Sequence, residues 1–312
     1  MKFVTYRTSS GTLRAGIVGA RNQVYDLAET SRKAPGGAAL PDSLLDLLGQ
    51  GDRGVDRARA VLAWADTSGA EGVPLSGVRL APPLPRPGKL IAVANNYFEH
   101  IVEGGAETFE RTEQTPWLFN KPGTAIIGDG DPILLPALSD RIDWEIELAI
   151  VIGRRGRYIK EAAVYEHIVG YTIVNDVSAR RINVGFERRA RADDPFYDWL
   201  HGKWFDSFAP MGPCIVTRDE IADPHNLNFS LKVDGQTRQA DSTAKMIFRV
   251  PDIVVFASKI MTLEPGDVIA TGTARGTGSA TGTFLQHGQM VEATIDGVGV
   301  LHNPVQTEPQ PR

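Results

Sequence analysis

The stretch DWEIELAIVIG, Asp143 to Gly153, decides how the chain is read. Its second half, Leu148 to Ile152, is an unbroken aliphatic run of the kind that forms a buried strand. Its first half carries Asp143, Glu145 and Glu147. Successive side chains of an extended strand point to opposite sides. The three acids therefore share one face, and Trp144, Ile146 and Leu148 share the other. Taken alone, the acids are accounted for by solvent at a strand edge, since charged side chains are seldom buried without partners. A strand that runs on into a core raises the question of what sits opposite three carboxylates.

The rest of the chain bounds the answer. It has 312 residues, enough to bury a sizeable core. Hydrophobic residues make up 42% and charged residues 23%, the proportions of a globular protein. A net charge of −5 gives no reason to expect nucleic acid or an anionic membrane as partner. No apolar run reaches the ~20 residues that span a bilayer. The N-terminus MKFVTYRTSSGTLRAG reads as strand, without a signal-peptide core. Cys214 is the one cysteine, which excludes internal disulfides and thiolate metal clusters. A cytoplasmic protein is the expectation.

Short strands are expected over KFVTYRT, RAGIVGA and QVYDLAE, followed by helices. In DSLLDLLGQG, Asp42 is the expected N-cap and Gly49 or Gly51 the stop. In GVDRARAVLAWADTSGA, Val55, Ala58, Val61, Leu62 and Ala65 fall on one helical face. Pro82, Pro83, Pro85 and Pro87 then make a stiff connector. A small N-terminal α/β domain over 1–82 and a second domain over 83–312 follow. The second is mostly strand, with hairpin signals at Asp234-Gly235 and Asp296-Gly297. Helical patterns there are limited to KEAAVYEHIV and VPDIVVFASKIMTL. Many strands with few helices indicate a mixed β (α+β) fold, a β-roll, sandwich or barrel, and not a doubly wound sheet.

Two more polar clusters accompany the acids. GYTIVNDVSAR runs from a buried-type strand into Asn175 and Asp176. NNYFEHIVEGG sets His100 and Glu103 three apart, neighbours on a helix. Each by itself is compatible with a surface pair. In order, the chain reads NYFEHIVEGG, FNKPGTAIIGDGDPI, DWEIELAIVIG, GYTIVNDVSAR, GKWFDSFAPMGP, PGDVIATGTARGTG and GVGVLHNPV. From about Lys89 to Val305 this resembles the fumarylacetoacetate hydrolase (FAH) family.

The resemblance implies a FAH-like β-roll catalytic domain, commonly in a homodimer, and a divalent metal held by Glu145, Glu147 and Asp176. Buried charge must be paired or metal-bound, which would explain the acids. All-oxygen ligation selects a hard cation, Mg²⁺ first and Mn²⁺ or Ca²⁺ next. His100 matches the family's base and Glu103 its orienting carboxylate. Lys203 matches the active-site lysine. Arg180 matches the contact to the substrate carboxylate, and Thr273 a backbone or hydroxyl contact to substrate. Asp143 falls outside the ligand set and is assigned to a supporting or solvent role.

The chain departs from the family pattern at Arg181, where an acid is common, at Gly123, where serine is, and at Ala274, where proline is. ERRARADDPFYDW reads as a lid or rim. The glycine-rich ARGTGSATG lacks the Gly-Lys-Ser/Thr ending of a phosphate loop and reads as a mobile loop beside the site. His201 is assigned to the rim, Cys214 to a buried inert thiol, and the remaining histidines to structure.

The activity implied is metal-dependent hydrolysis of a carbon–carbon bond in an acylpyruvate-type 2,4-dioxo acid, a small-molecule substrate. Decarboxylation of a 2-oxo diacid of the oxaloacetate type and isomerisation of a hydroxymuconate-type dienol would use the same site. A metal-stabilised scaffold without turnover is the non-enzymatic alternative.

Overall fold

The Ile146–Ile152 strand lies deep within a twelve-stranded sheet, paired with Ile168–Asn175 on one side and Val268–Ala270 on the other. The computed structural model describes residues 1–309. Every residue of this strand is buried, and the alternation read from the sequence holds. Trp144, Ile146, Leu148, Ile150 and Ile152 pack with Leu231, Val291 and Leu301 of a second, five-stranded sheet. Ala149 and Val151 pack with Leu47 and Ala58 of the N-terminal helices. Each large aliphatic side chain buried this way contributes about 1.5–3 kcal/mol. A slip of one residue would exchange the two faces, so the packing pins the register and with it Glu145 and Glu147.

The sheet runs on into the N-terminal segment. Lys2–Arg7 pairs with Ala209–Thr217, and Leu13–Val18 and Gln23–Asp26 follow outward. The helices Leu27–Lys33, Leu44–Gly49 and Asp52–Ser68 pack beside these strands. The longest buries Ala58, Val61 and Ala65, with Val55 and Leu62 half-buried next to them. Ser43, not Asp42, caps Leu44–Gly49, its Oγ accepting from Asp46 N at 3.3 Å. Asp42 is drawn instead to Arg14, 3.3 Å away.

The second sheet runs Gln236–Ser242, Asn228–Val233, Met290–Ile295, Gly299–Thr307, Ile133–Leu135. Asp234 and Gly235 both have positive φ, 51° and 74°, as the two-residue hairpin turn requires. Val250–Ile260 forms the expected helix on Val250, Ile253, Val254 and Ala257. KEAAVYEHIV does not. Glu161–His167 is 3-10 helix, and Ile168 already opens the Ile168–Asn175 strand. Pairing of that strand with both of its neighbours overrides the local helical pattern.

Candidate active site

The antiparallel register brings the carboxylates together. Ile146 lies opposite Asn175, so Glu145 and Glu147, on either side of Ile146, come beside Asp176. Asp176 N donates to Glu145 O at 2.8 Å, and Glu145 N donates to Asn175 Oδ1 at 2.9 Å. One oxygen from each of Glu145, Glu147 and Asp176 lies within 4.8 Å of the others. All three side chains are buried.

Three cations meet them. Lys203 Nζ is 2.7 Å from Glu145 Oε2 and 2.7 Å from Asp176 Oδ2. Arg180 donates through Nη2 to Glu145 Oε1 at 2.5 Å and through Nε to Asp143 Oδ2 at 2.7 Å. Lys121 Nζ lies 2.5 Å from Asp176 Oδ1 and 3.0 Å from Val177 O. The sequence reading passed over Lys121 inside FNKPGTA. Its only signal there is a lysine at the end of a half-apolar strand, Trp117–Lys121, next to a proline.

Burial alone would raise the Glu145 pKa. Lys203 and Arg180 overcome it and hold the carboxyl well below the usual range. Glu147 goes the other way: burial, then the like charges of Asp176 and Glu145, push it well up. Burial also works against charged Lys203, but Asp176 and Glu145 outweigh it and raise the pKa. For Lys121, burial prevails over Asp176, and Lys203 adds repulsion.

Asp143 has no solvent role: it is fully buried. Besides Arg180 it accepts from Trp144 N at 2.8 Å, Gly278 N at 2.5 Å and Ser279 N at 2.9 Å. A buried carboxylate needs such donors. It thereby fixes both Arg180 and the glycine-rich segment.

His100 and Glu103 sit on the short helix Phe98–Glu103, with Nδ1 and Oε1 2.9 Å apart. Glu103 also accepts from Gly276 N at 2.8 Å and Thr277 Oγ1 at 2.9 Å. Burial raises the Glu103 pKa, but the bonds from His100, Gly276 and Thr277 more than offset it, and the group stays ionised. An ionised carboxylate only accepts, so Nδ1 carries a proton, and in the neutral ring the lone pair is on Nε2. The ARGTGSATG segment borders the site as expected. It is not a free loop, since its backbone is bonded to Glu103 on one side and Asp143 on the other.

A cavity of about 420 Å³ joins these groups. His100, Glu145, Glu147, Asp176, Arg180, Lys203 and Thr273 line it, and Glu103 stands behind His100. The Thr273 hydroxyl is already used: it donates to Ile146 O at 2.8 Å and accepts from Gln239 Nε2 at 2.9 Å. Its backbone N–H makes no hydrogen bond among the described residues and is the group left for a ligand. Trp199 lines the cavity, whereas Trp204 donates to Asn120 O and His201 lies between Tyr197 and Trp204. Cys214 is a buried thiol, pushed up to about 11 by burial.

The donor set fits a hard divalent cation. It is all oxygen and buried, and four carboxylates, Asp143 included, face three cations. Glu147 has one hydrogen bond among the described residues, from Gly272 N at 2.7 Å, and is otherwise pressed against like charges. A cation among the three acids would reverse that repulsion.

A mixed β fold that carries a buried carboxylate triad, a buried lysine and a His–Glu pair in one cavity defines a class of enzyme. The chain matches the fumarylacetoacetate (FAA) hydrolase C-terminal family over residues 89–306. It belongs to the fumarylacetoacetate hydrolase family and is an enzyme of it. It is 37% identical over 268 residues to the mitochondrial oxaloacetate tautomerase FAHD2A of Bos taurus, covering 85% of this chain and 80% of that one. It superposes on maleylpyruvate hydrolase from Sphingobium sp. SYK-6, solved with manganese(II) and pyruvate, at TM-score 0.75 and 29% identity, over 99% of this chain and 100% of that one. It superposes on 5-carboxymethyl-2-hydroxymuconate delta-isomerase from Mycobacterium smegmatis at TM-score 0.72 and 31% identity, with the same coverage. No helix among the described residues is long and apolar enough to cross a membrane.

Proposed function

We propose that the protein hydrolyses a carbon–carbon bond in a 2,4-dioxo acid of the acylpyruvate type. The observation that carries this reading is the His100–Glu103 pair. It presents a base with a free nitrogen to the cavity that the three carboxylates line. Glu145, Glu147 and Asp176 would hold a divalent cation, Mg²⁺ first. When bound, it supplies Lewis acidity for the 2-oxo acid end of the substrate.

Arg180 Nη1 makes no hydrogen bond among the described residues, and the side chain, 17% exposed, lines the cavity. It binds the substrate carboxylate, aided by Thr273 N–H. His100 Nε2 takes a proton from water as the oxygen adds to the distal ketone carbon, C4. The Lys203 ammonium faces the developing alkoxide. The C3–C4 bond then breaks with its electron pair going to C3, and the imidazolium returns the proton there. The products are the carboxylic acid and pyruvate, and one water is consumed.

A second reading, keto–enol tautomerisation of oxaloacetate, is favoured by the 37% identity to a protein of that name. It needs the same base and no water. Proton NMR with Mg²⁺ separates the two. Conversion of acetylpyruvate to acetate and pyruvate, lost on chelation and in His100→Ala, is the expected result. Untouched acetylpyruvate together with accelerated oxaloacetate keto–enol exchange would replace the first reading by the second.

A further inference from the structure

The cavity has two chemically distinct ends, and the outer one concerns the group R of the substrate R–CO–CH₂–CO–COO⁻. The inner end is ionic and buried: the Glu145, Asp176 and Lys203 side chains are no more than 5% exposed. The mouth is aromatic. Trp117 and Phe196 line the same cavity at 62% and 57% exposure, with Phe119 and Trp199 between them and the ionic floor. Phe119 and Trp199 meet edge to face at 5.0 Å, and Phe196 lies 5.9 Å from Trp199. Lys203 Nζ rests 5.3 Å from the Phe119 ring centre and 5.9 Å from that of Trp199, so these rings bridge the two ends.

The cavity is lined by two cationic side chains, Arg180 and Lys203, and by the imidazole of His100. His100 is held by Glu103, and Lys203 by Glu145 and Asp176. Arg180, already tied to Asp143 and Glu145, has one free edge for one carboxylate. A second carboxylate at the distal end of the substrate would lie against rings, without a counter-ion and partly out of water, which is costly. Of the neighbouring arginines, Arg188 is bound to Asp198 and Asp194 and Arg191 to Asp194, while Arg181 is exposed. The three line an adjoining cavity that meets this one at Arg180 and Trp199, and none of them lines the cavity of the carboxylates. The 420 Å³ volume is also of the size that takes ligands well beyond a four-carbon acid.

We infer that R is an aromatic ring, and that the substrates are aroylpyruvates, not dicarboxylates. Edge-to-face and offset-stacked contacts with Phe119, Phe196 and Trp199 would hold the ring. The inference rests on the acylpyruvate reading and adds the nature of R.

The test uses the full chain with Mg²⁺ and three substrates: acetylpyruvate, benzoylpyruvate and succinylpyruvate. Acetylpyruvate reports the underlying reaction alone. The expected result is a kcat/KM for benzoylpyruvate at least about tenfold above that for succinylpyruvate, equivalent to about 1.4 kcal/mol. Phe196→Ala and Trp117→Ala alter exposed side chains and leave the fold intact, and each should lower the benzoyl-to-acetyl ratio several-fold. A preference for succinylpyruvate that Arg181→Ala abolishes would overturn the inference, and so would an unchanged ratio in both ring variants. If none of the three substrates is cleaved, the hydrolase reading falls. Titration calorimetry then still reads the mouth: tighter binding of benzoylpyruvate than of succinylpyruvate sustains the aromatic distal group, and equal or reversed affinities refute it.

Discussion

Glu103 and Asp143 are gripped by one turn of chain: Gly276 N donates to Glu103 Oε2 at 2.8 Å and Gly278 N to Asp143 Oδ1 at 2.5 Å. The first acid orients His100 and the second holds Arg180. The glycine-rich segment thus ties the His100 imidazole to the Arg180 guanidinium. Gly276 has φ of 98°, and a Cβ there would come within 2.3 Å of Arg238 O, so the turn depends on glycine.

Thr277 is a positioning residue in this arrangement, through its 2.9 Å bond to Glu103 Oε1. Thr277→Val keeps the shape and removes the donor. A hydrogen bond to a charged group contributes about 1.5–3 kcal/mol, so kcat/KM should fall about tenfold or more. Glu103 should then titrate higher, and the acid limb of the pH–rate profile should move up. Thr277→Ser, which keeps the hydroxyl, should restore both. A profile that does not move in Thr277→Val would reduce the residue to packing.

Glu147→Gln removes one of three mutually repelling acids. The metal-free protein should melt no lower than the parent. The parent should gain melting temperature on addition of Mg²⁺ or Mn²⁺, since a ligand at about 1,000 times its Kd adds about 4 kcal/mol. That gain should vanish in Glu147→Gln. Calorimetric titration and thermal melts with and without chelator check both halves. A full metal-induced shift in the variant would remove Glu147 from the ligand set.

His225 provides a pH dependence away from the site. Its Nε2 accepts from Val250 N, the first residue of the Val250–Ile260 helix, at 3.1 Å. Burial lowers its pKa, Asp223 opposes this, and Arg249 adds to the lowering. The folded state therefore favours the neutral ring more than the unfolded state does. Stability from this group is complete above the unfolded value of about 6.5 and is lost as pH falls from there through the lower folded value. Denaturant midpoints measured between pH 7 and 5 should drop for the parent and drop less for His225→Asn. Parallel curves would show that the ring does not titrate on unfolding.

Much of this site is visible in the chain itself. The alternation of DWEIELAIVIG placed Glu145 and Glu147 on one face and the aliphatic residues on the other, because a strand's period of two needs no tertiary information. His100 and Glu103 were legible as a pair because three residues is a helical neighbour distance. Local pattern misled where long-range pairing was stronger, as at Ile168, where the strand wins over a helical periodicity. It also misled at Ser43, where Arg14 claims the acid next door.

Sequence by itself determined which residues are acids on a buried strand, that Asp176 follows a second buried-type strand, and that His100 and Glu103 are helical neighbours, since each depends on spacing within one element. Only the tertiary structure decided what those charges meet. Lys121 reaches Asp176 across 55 positions and Gly278 reaches Asp143 across 135. Buried charges are satisfied by whatever donors the fold delivers within about 3 Å, and no local periodicity encodes that distance.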